Sequence, residues 1–119
     1  MDEEAKSLFK KIKGGLEEDK EGKILYETKM SEINDISIPV ALILNKNIPN
    51  NAKLLWSKLH CVGAISGITV KGVRVVADEM GMYPLGVIEL LEILDKEGWL
   101  NIKFNKNTDM LEYYVVNKK

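Results

Sequence analysis

Two apolar periodicities, separated by a glycine and a proline, constrain this chain more than any other feature. From Val70 to Met80 the sequence VKGVRVVADEM places Val73, Val76, Ala77 and Met80 at offsets of three, four and seven, one face of a helix. Gly81 stands just past the last of them, where a left-handed residue closes a helix without Cβ strain. Pro84 suits the first turn of a second helix, where its missing N–H is not needed. In that second helix Val87, Leu90, Leu91 and Leu94 form the expected buried stripe, and Gly98 ends it. The period then changes. Trp99 to Asn105 reads as a strand, Lys106-Asn107-Thr108-Asp109 as a turn, and Met110 to Asn117, rich in Tyr and Val, as a second strand.

The landmarks Val76, Ala77, Met80, Gly81, Met82, Val87, Leu94, Gly98, Trp99 and Leu100 resemble, position by position, the pattern of winged helix-turn-helix domains. Upstream, Ile38-Pro39 followed by Asn51-Ala52-Lys53-Leu54-Leu55-Trp56 resembles the start of the winged-helix domains of phage replisome organisers and plasmid replication initiators. The resemblance implies an α+β fold, a winged helix-turn-helix of three core helices plus a β-hairpin wing, with an N-terminal helical extension. Residues 1–23 are expected to form an amphipathic helix and charged linker, and residues 24–119 the winged-helix domain.

The remaining segments are assigned by local pattern. Asp2 to Lys13 reads as a short amphipathic helix with Leu8, Phe9 and Ile12 on one side, stopped by Gly14-Gly15. Leu16 to Lys23 is almost wholly charged and reads as a linker. Ile24 to Met30 alternates weakly, as an edge strand would, and Ser31 to Ser37 reads as a loop. Ile38 to Leu44 reads as a helical turn begun by Pro39, and Asn45 to Asn51 as a loop ending in a helix cap. Ala52 to Ile65 is the next expected helix, with Leu55, Leu59 and Val62 inward. Gly67 to Val70 is short enough to be a small strand beside the wing.

At 119 residues the chain is long enough for one substantial core. Its composition is globular, 45% hydrophobic and 29% charged, with a net charge of −1. Any attraction to nucleic acid must therefore come from local patches. The single cysteine, Cys61, excludes an intramolecular disulfide and fits a reducing cytosol, so a cytoplasmic protein is expected. The charged start MDEEAKSLFKKIKGG lacks the apolar core of a signal peptide, and no apolar run approaches membrane-spanning length.

Catalytic and metal motifs are not found. His60 and Cys61 are each unique and, as helix neighbours, point about 100° apart; His60 reads as a half-buried helix residue and Cys61 as an inert buried thiol. Gly81 to Gly86 is spaced like part of a phosphate loop, but Pro84 and the missing lysine break the motif. The carboxylates Asp78, Glu79, Glu89, Glu92, Asp95 and Glu97 read as solvated helix charge. Neither an enzyme nor a cofactor, metal, membrane or small-molecule partner is expected.

Nucleic acid is the partner that the resemblance implies. Winged helices that read DNA usually carry polar or basic groups on the exposed side of the second helix. Here, with Val87 at the centre of the buried side, Leu85, Glu89, Glu92 and Lys96 fall opposite, with Ile88 on one flank and Ile93 and Gly86 on the other. That side is apolar and acidic, which disfavours simple insertion beside phosphates. Bases lie elsewhere: Lys53 and Lys58 on the earlier helix, Lys71 and Arg74 at the start of the next, and Lys103, Asn105, Lys106 and Asn107 around the wing. Lys118 and Lys119 follow the wing, and Lys10, Lys11 and Lys13 form a basic stretch in the N-terminal helix.

Two functions follow. The first is a small phage- or plasmid-type DNA-binding protein acting in replication, partition or transcriptional control. It would contact duplex DNA through Lys53, Lys71, Arg74, Tyr83, Lys103, Asn105, Lys106 and Asn107, as a dimer. The second is a module for protein contacts alone, docking a replication or partition protein through Leu85, Ile88, Glu89, Glu92 and Ile93. The aliphatic members of that second set, Leu85, Ile88 and Ile93, would equally suit the dimer seam.

Overall fold

Thr69 starts the helix that organises the molecule. In the computed structural model, which describes residues 1–18, 37–62 and 65–118, the Thr69 hydroxyl accepts a hydrogen bond from the Gly72 N–H at 2.9 Å and caps a helix over Val70–Met80 (α4). Gly81 closes it at φ 65, and the Met82 N–H reaches back to the Ala77 carbonyl at 2.8 Å. A second helix over Pro84–Lys96 (α5) begins at Pro84 and buries Val87, Ile88, Leu90, Leu91 and Leu94. Gly98, at φ 81, turns the chain into strand Leu100–Asn105 (β2), which pairs antiparallel with Met110–Val115 (β3).

The tip of this hairpin is held by side chains. Asn105 Oδ1 accepts from the Asn107 N–H at 2.9 Å and from the Thr108 N–H at 3.3 Å, and Asp109 takes the left-handed conformation at φ 57. A third strand, Ile65–Gly67 (β1), joins the free edge of β3, so the order is β1-β3-β2. The small strand therefore precedes the expected Gly67–Val70 position, because Thr69 is spent on capping α4 and Val70 is already helical. Alternation divides β2 and β3 into two faces: Leu100, Ile102, Leu111 and Tyr113 are buried, while Asn101, Lys103 and Met110 are exposed.

Three further helices complete the α+β architecture: Glu3–Glu18 (α1), Val40–Ile43 (α2) and Asn50–Val62 (α3). The first corrects two expectations. Gly14-Gly15 does not stop α1, which runs on to Glu18, and Leu16 is buried at 8% exposure instead of lying in a linker. Ala5, Phe9, Ile12 and Leu16 form one buried stripe continuous with the core of the other elements. Burial of that stripe outweighs the cost of about 1 kcal/mol for a glycine within a helix. Gly15 is also sterically useful, since a Cβ there would lie 2.9 Å from Val70 Cγ2. Gly14 has nothing within 4 Å. Gly14→Ala is thus expected to raise stability by about 0.5–1 kcal/mol, and Gly15→Ala to lose that gain to the clash; thermal denaturation of the two variants reads the difference. The linker residues 19–23, the edge strand over 24–30 and the loop residues 31–36 lie outside the described residues.

At the centre, Trp56 is fully buried. Its Nε1 donates to the Trp99 carbonyl at 2.9 Å, and the two indoles meet edge to face at 5.7 Å. The same carbonyl accepts from the Val116 N–H at 3.0 Å, so one oxygen ties α3 to both strands of the hairpin. His60 and Cys61 are both exposed, not half-buried and buried as expected. His60 lies over Trp56, its ring stacked at 4.9 Å, and serves as the outer cover of the buried indole. No helix among the described residues is long and apolar enough to cross a membrane.

Candidate nucleic-acid interface

The hairpin carries two exposed bases and an exposed amide. Lys103, Lys106 and Asn107 are exposed, with Lys103 Nζ 5.9 Å from the Tyr114 ring centroid on the outward face of the sheet. Asn105 is committed internally. Besides capping the turn, its Nδ2 donates to Glu112 Oε1 at 2.5 Å, which occupies the carboxylate nearest to Lys103 across the strands. Asn105 therefore shapes the tip, and Lys103, Lys106 and Asn107 are the groups it presents.

The helices place the other expected contacts unequally. Lys71 is exposed and Arg74 half-exposed in the first half of α4, and both also interact within the chain. Lys53 Nζ donates to the Ile43 carbonyl at 2.6 Å, which ties α3 to α2 without neutralising the ammonium. Tyr83, at the N-cap of α5, is 87% exposed. Lys58 is withdrawn from this surface. It is 5% exposed and forms an ion pair with Glu79 at 2.5 Å, joining α3 to the end of α4. Lys118 lies against the molecule, donating to the Glu97 carbonyl at 2.7 Å above the Trp99 ring.

The apolar and acidic side of α5 is smaller than its periodicity suggests. Leu85 and Glu89 face outward, as the 100° step places them. Ile88, expected on the flank of that side and in the dimer seam, is 0% exposed and belongs to the core. Glu92 and Ile93 turn toward α1 and line an open groove with Phe9, Lys10 and Lys13, where Lys13 Nζ lies 2.5 Å from Glu92 Oε1. The cause is that α5 is packed by α1, α3, α4 and β2 together, which widens its buried arc beyond one stripe.

No family model, curated protein or solved structure matches this chain. The surface chemistry stands alone, and one part of it is visible only when charge is read over a long window. From Ile36 to Ala77 the chain contains no aspartate or glutamate, yet it holds Lys46, Lys53, Lys58, Lys71 and Arg74. From Asp78 to Asp95 the reverse holds: Asp78, Glu79, Glu89, Glu92 and Asp95 occur with no lysine or arginine. A net charge of −1 thus conceals two blocks of opposite sign. Among the described residues no group of three or more His, Cys, Asp or Glu gathers as a metal site.

Proposed function

We propose that the chain is a winged-helix DNA-binding protein of phage or plasmid type, which holds duplex DNA by phosphate contacts from the hairpin and from the start of α4. The capped α4, the left-handed turn at Gly81, α5 and the following hairpin support the winged-helix reading. The single observation that carries the binding reading is the segregation of charge. Exposed Lys103, Lys106 and Lys71 sit at the hairpin and in the acid-free block, while Glu89 stands on the outward side of α5. Glu89 and Leu85, facing outward on α5, disfavour its insertion beside phosphates, so in this reading the hairpin and the α4 end approach the duplex. Such binding is governed by backbone charge, with exposed Asn107 at the hairpin tip the group proposed to reach sugar or base edges.

The test is fluorescence anisotropy with a labelled duplex. The double variant Lys103→Glu/Lys106→Glu is expected to weaken binding about tenfold or more at low salt, because it removes two cations and adds two repulsive charges. Glu89→Gln is expected to leave affinity unchanged or raise it slightly. Equal affinity of the hairpin variant and the native chain would remove the hairpin from the interface.

A further inference from the structure

The open groove between α1 and α5 has a volume of about 1090 Å³. Phe9 and Ile93 supply its apolar floor, and the methylene stems of the lysines around it extend that surface. Met1 meets Asp95 at one end, and Lys13 meets Glu92 further along. The two helices therefore line the groove in opposite senses, with Lys6 and Lys96 toward the first end and Gly14 and Glu89 toward the other. A Cβ at Gly14 would have nothing within 4 Å, so that end is unobstructed.

The charges on the rim are unevenly answered. Lys13 pairs with Glu92. Asp95 accepts from the Ile102 N–H at 2.9 Å and lies 3.7 Å from the N-terminal ammonium. Lys6, Lys10 and Lys96 are exposed and make no ion pair among the described residues. Glu89 is the lining carboxylate left in the same condition there. Three cations against one anion thus surround an apolar floor. Lys6 and Lys10 stand one turn apart on α1, a spacing at which like charges weaken a helix until an anion answers them.

These features restrict what can cover the groove. Because it is open, it does not enclose most of a small ligand's surface, as ligand pockets do. A phosphate backbone gains nothing from the apolar floor and is repelled by Glu89. Two copies laid groove to groove would oppose lysine to lysine. A helix laid in the groove covers the floor with one apolar stripe, and carboxylates beside that stripe reach the lysines.

We propose that the α1–α5 groove docks an acidic amphipathic helix of another protein. The apolar stripe of that helix lies on Phe9 and Ile93, and its carboxylates face Lys6, Lys10 and Lys96. The docking needs no nucleic acid and does not rest on the DNA-binding reading.

Fluorescence polarisation with the full chain tests this. The probe is a labelled peptide of about four helical turns, with leucines at helical spacing flanked by glutamates; its control carries lysines in place of the glutamates. The glutamate peptide is expected to bind with a Kd on the order of 10–100 µM, about tenfold or more tighter than the lysine peptide. Amide chemical-shift changes are expected along α1 and α5. Lys10→Glu is expected to weaken the glutamate peptide about fivefold or more and to strengthen the lysine peptide. Lys11→Glu, exposed on α1 but outside the groove, is expected to change either affinity by less than about twofold, with the circular dichroism of both variants unchanged. Absence of saturable binding below about 1 mM, equal affinity for the two peptides, or equal losses from Lys10→Glu and Lys11→Glu would overturn the proposal.

Discussion

Replacing Trp56 by alanine is expected to cost about 3–5 kcal/mol of stability, a large part of the roughly 5–15 kcal/mol that holds a domain of this size folded. Three losses combine. The indole is fully buried, so truncation leaves a cavity among α3 and the hairpin. The edge-to-face contact with Trp99 disappears, and so does the hydrogen bond to the Trp99 carbonyl. That carbonyl keeps the Val116 N–H as a partner, so the hydrogen-bond share is modest, about 1 kcal/mol, and the cavity dominates. Trp56→Phe, which keeps an aromatic ring and loses the N–H, is expected to fall well short of the alanine loss. Urea denaturation with an unchanged slope measures both. A loss below about 1 kcal/mol for the alanine variant would mean that Trp56 is not the joint between α3 and the hairpin.

The second large effect belongs to the ion pair between α3 and α4. Side-chain exposures of 6% for Lys58 and 15% for Glu79 place both charges mostly out of water. Glu79→Gln would leave the ammonium of Lys58 without its counter-charge, at a cost of about 2–4 kcal/mol, somewhat below the value for a wholly dry pair because Glu79 retains some solvent. The paired replacement Lys58→Met/Glu79→Leu removes the desolvated charges together and is expected to recover much of that loss. Since Glu79 makes a further interaction within the chain, recovery is expected to be incomplete. A double-mutant cycle from denaturation data should give a coupling of at least about 1 kcal/mol; additive losses would show that the pair is electrostatically idle.

Elements whose local signals agree with their tertiary surroundings were legible in the sequence. Gly81 and Pro84 mark the turn between α4 and α5 through backbone requirements that no packing partner alters. The change from helical to alternating period at Trp99 marks the hairpin in the same way. Misreadings fall where a distant partner decides. Gly14-Gly15 looks like a stop, but the stripe from Ala5 to Leu16 is buried against α5 and the sheet, and Gly15 makes room for Val70. Ile88 looks like a flank residue if α5 has one neighbour, and it is a core residue because α5 packs against α1, α3, α4 and β2. Lys58 looks like any helix lysine until α4 brings Glu79 to it.

For the candidate site, residue types were legible and their availability was not. Lys103, Lys106, Asn107 and Tyr83 stand exposed on the elements where the sequence placed them. Asn105 is spent on the turn and on Glu112, which only the strand register reveals. The acid-free block from Ile36 to Ala77 was present in the sequence throughout. A helix-sized window hides it, since no single segment within it is unusually basic.

In the proposed binding mode, positive charge at the hairpin and the start of α4 holds DNA by its phosphates. Affinity of the native chain for a duplex, measured between about 50 mM and about 200 mM salt, tests this most directly. Four to six phosphate contacts predict a log–log slope of roughly −4 to −5, shallower by about two for Lys103→Glu/Lys106→Glu. No detectable binding at about 50 mM salt, or an affinity that does not change with salt, would contradict it.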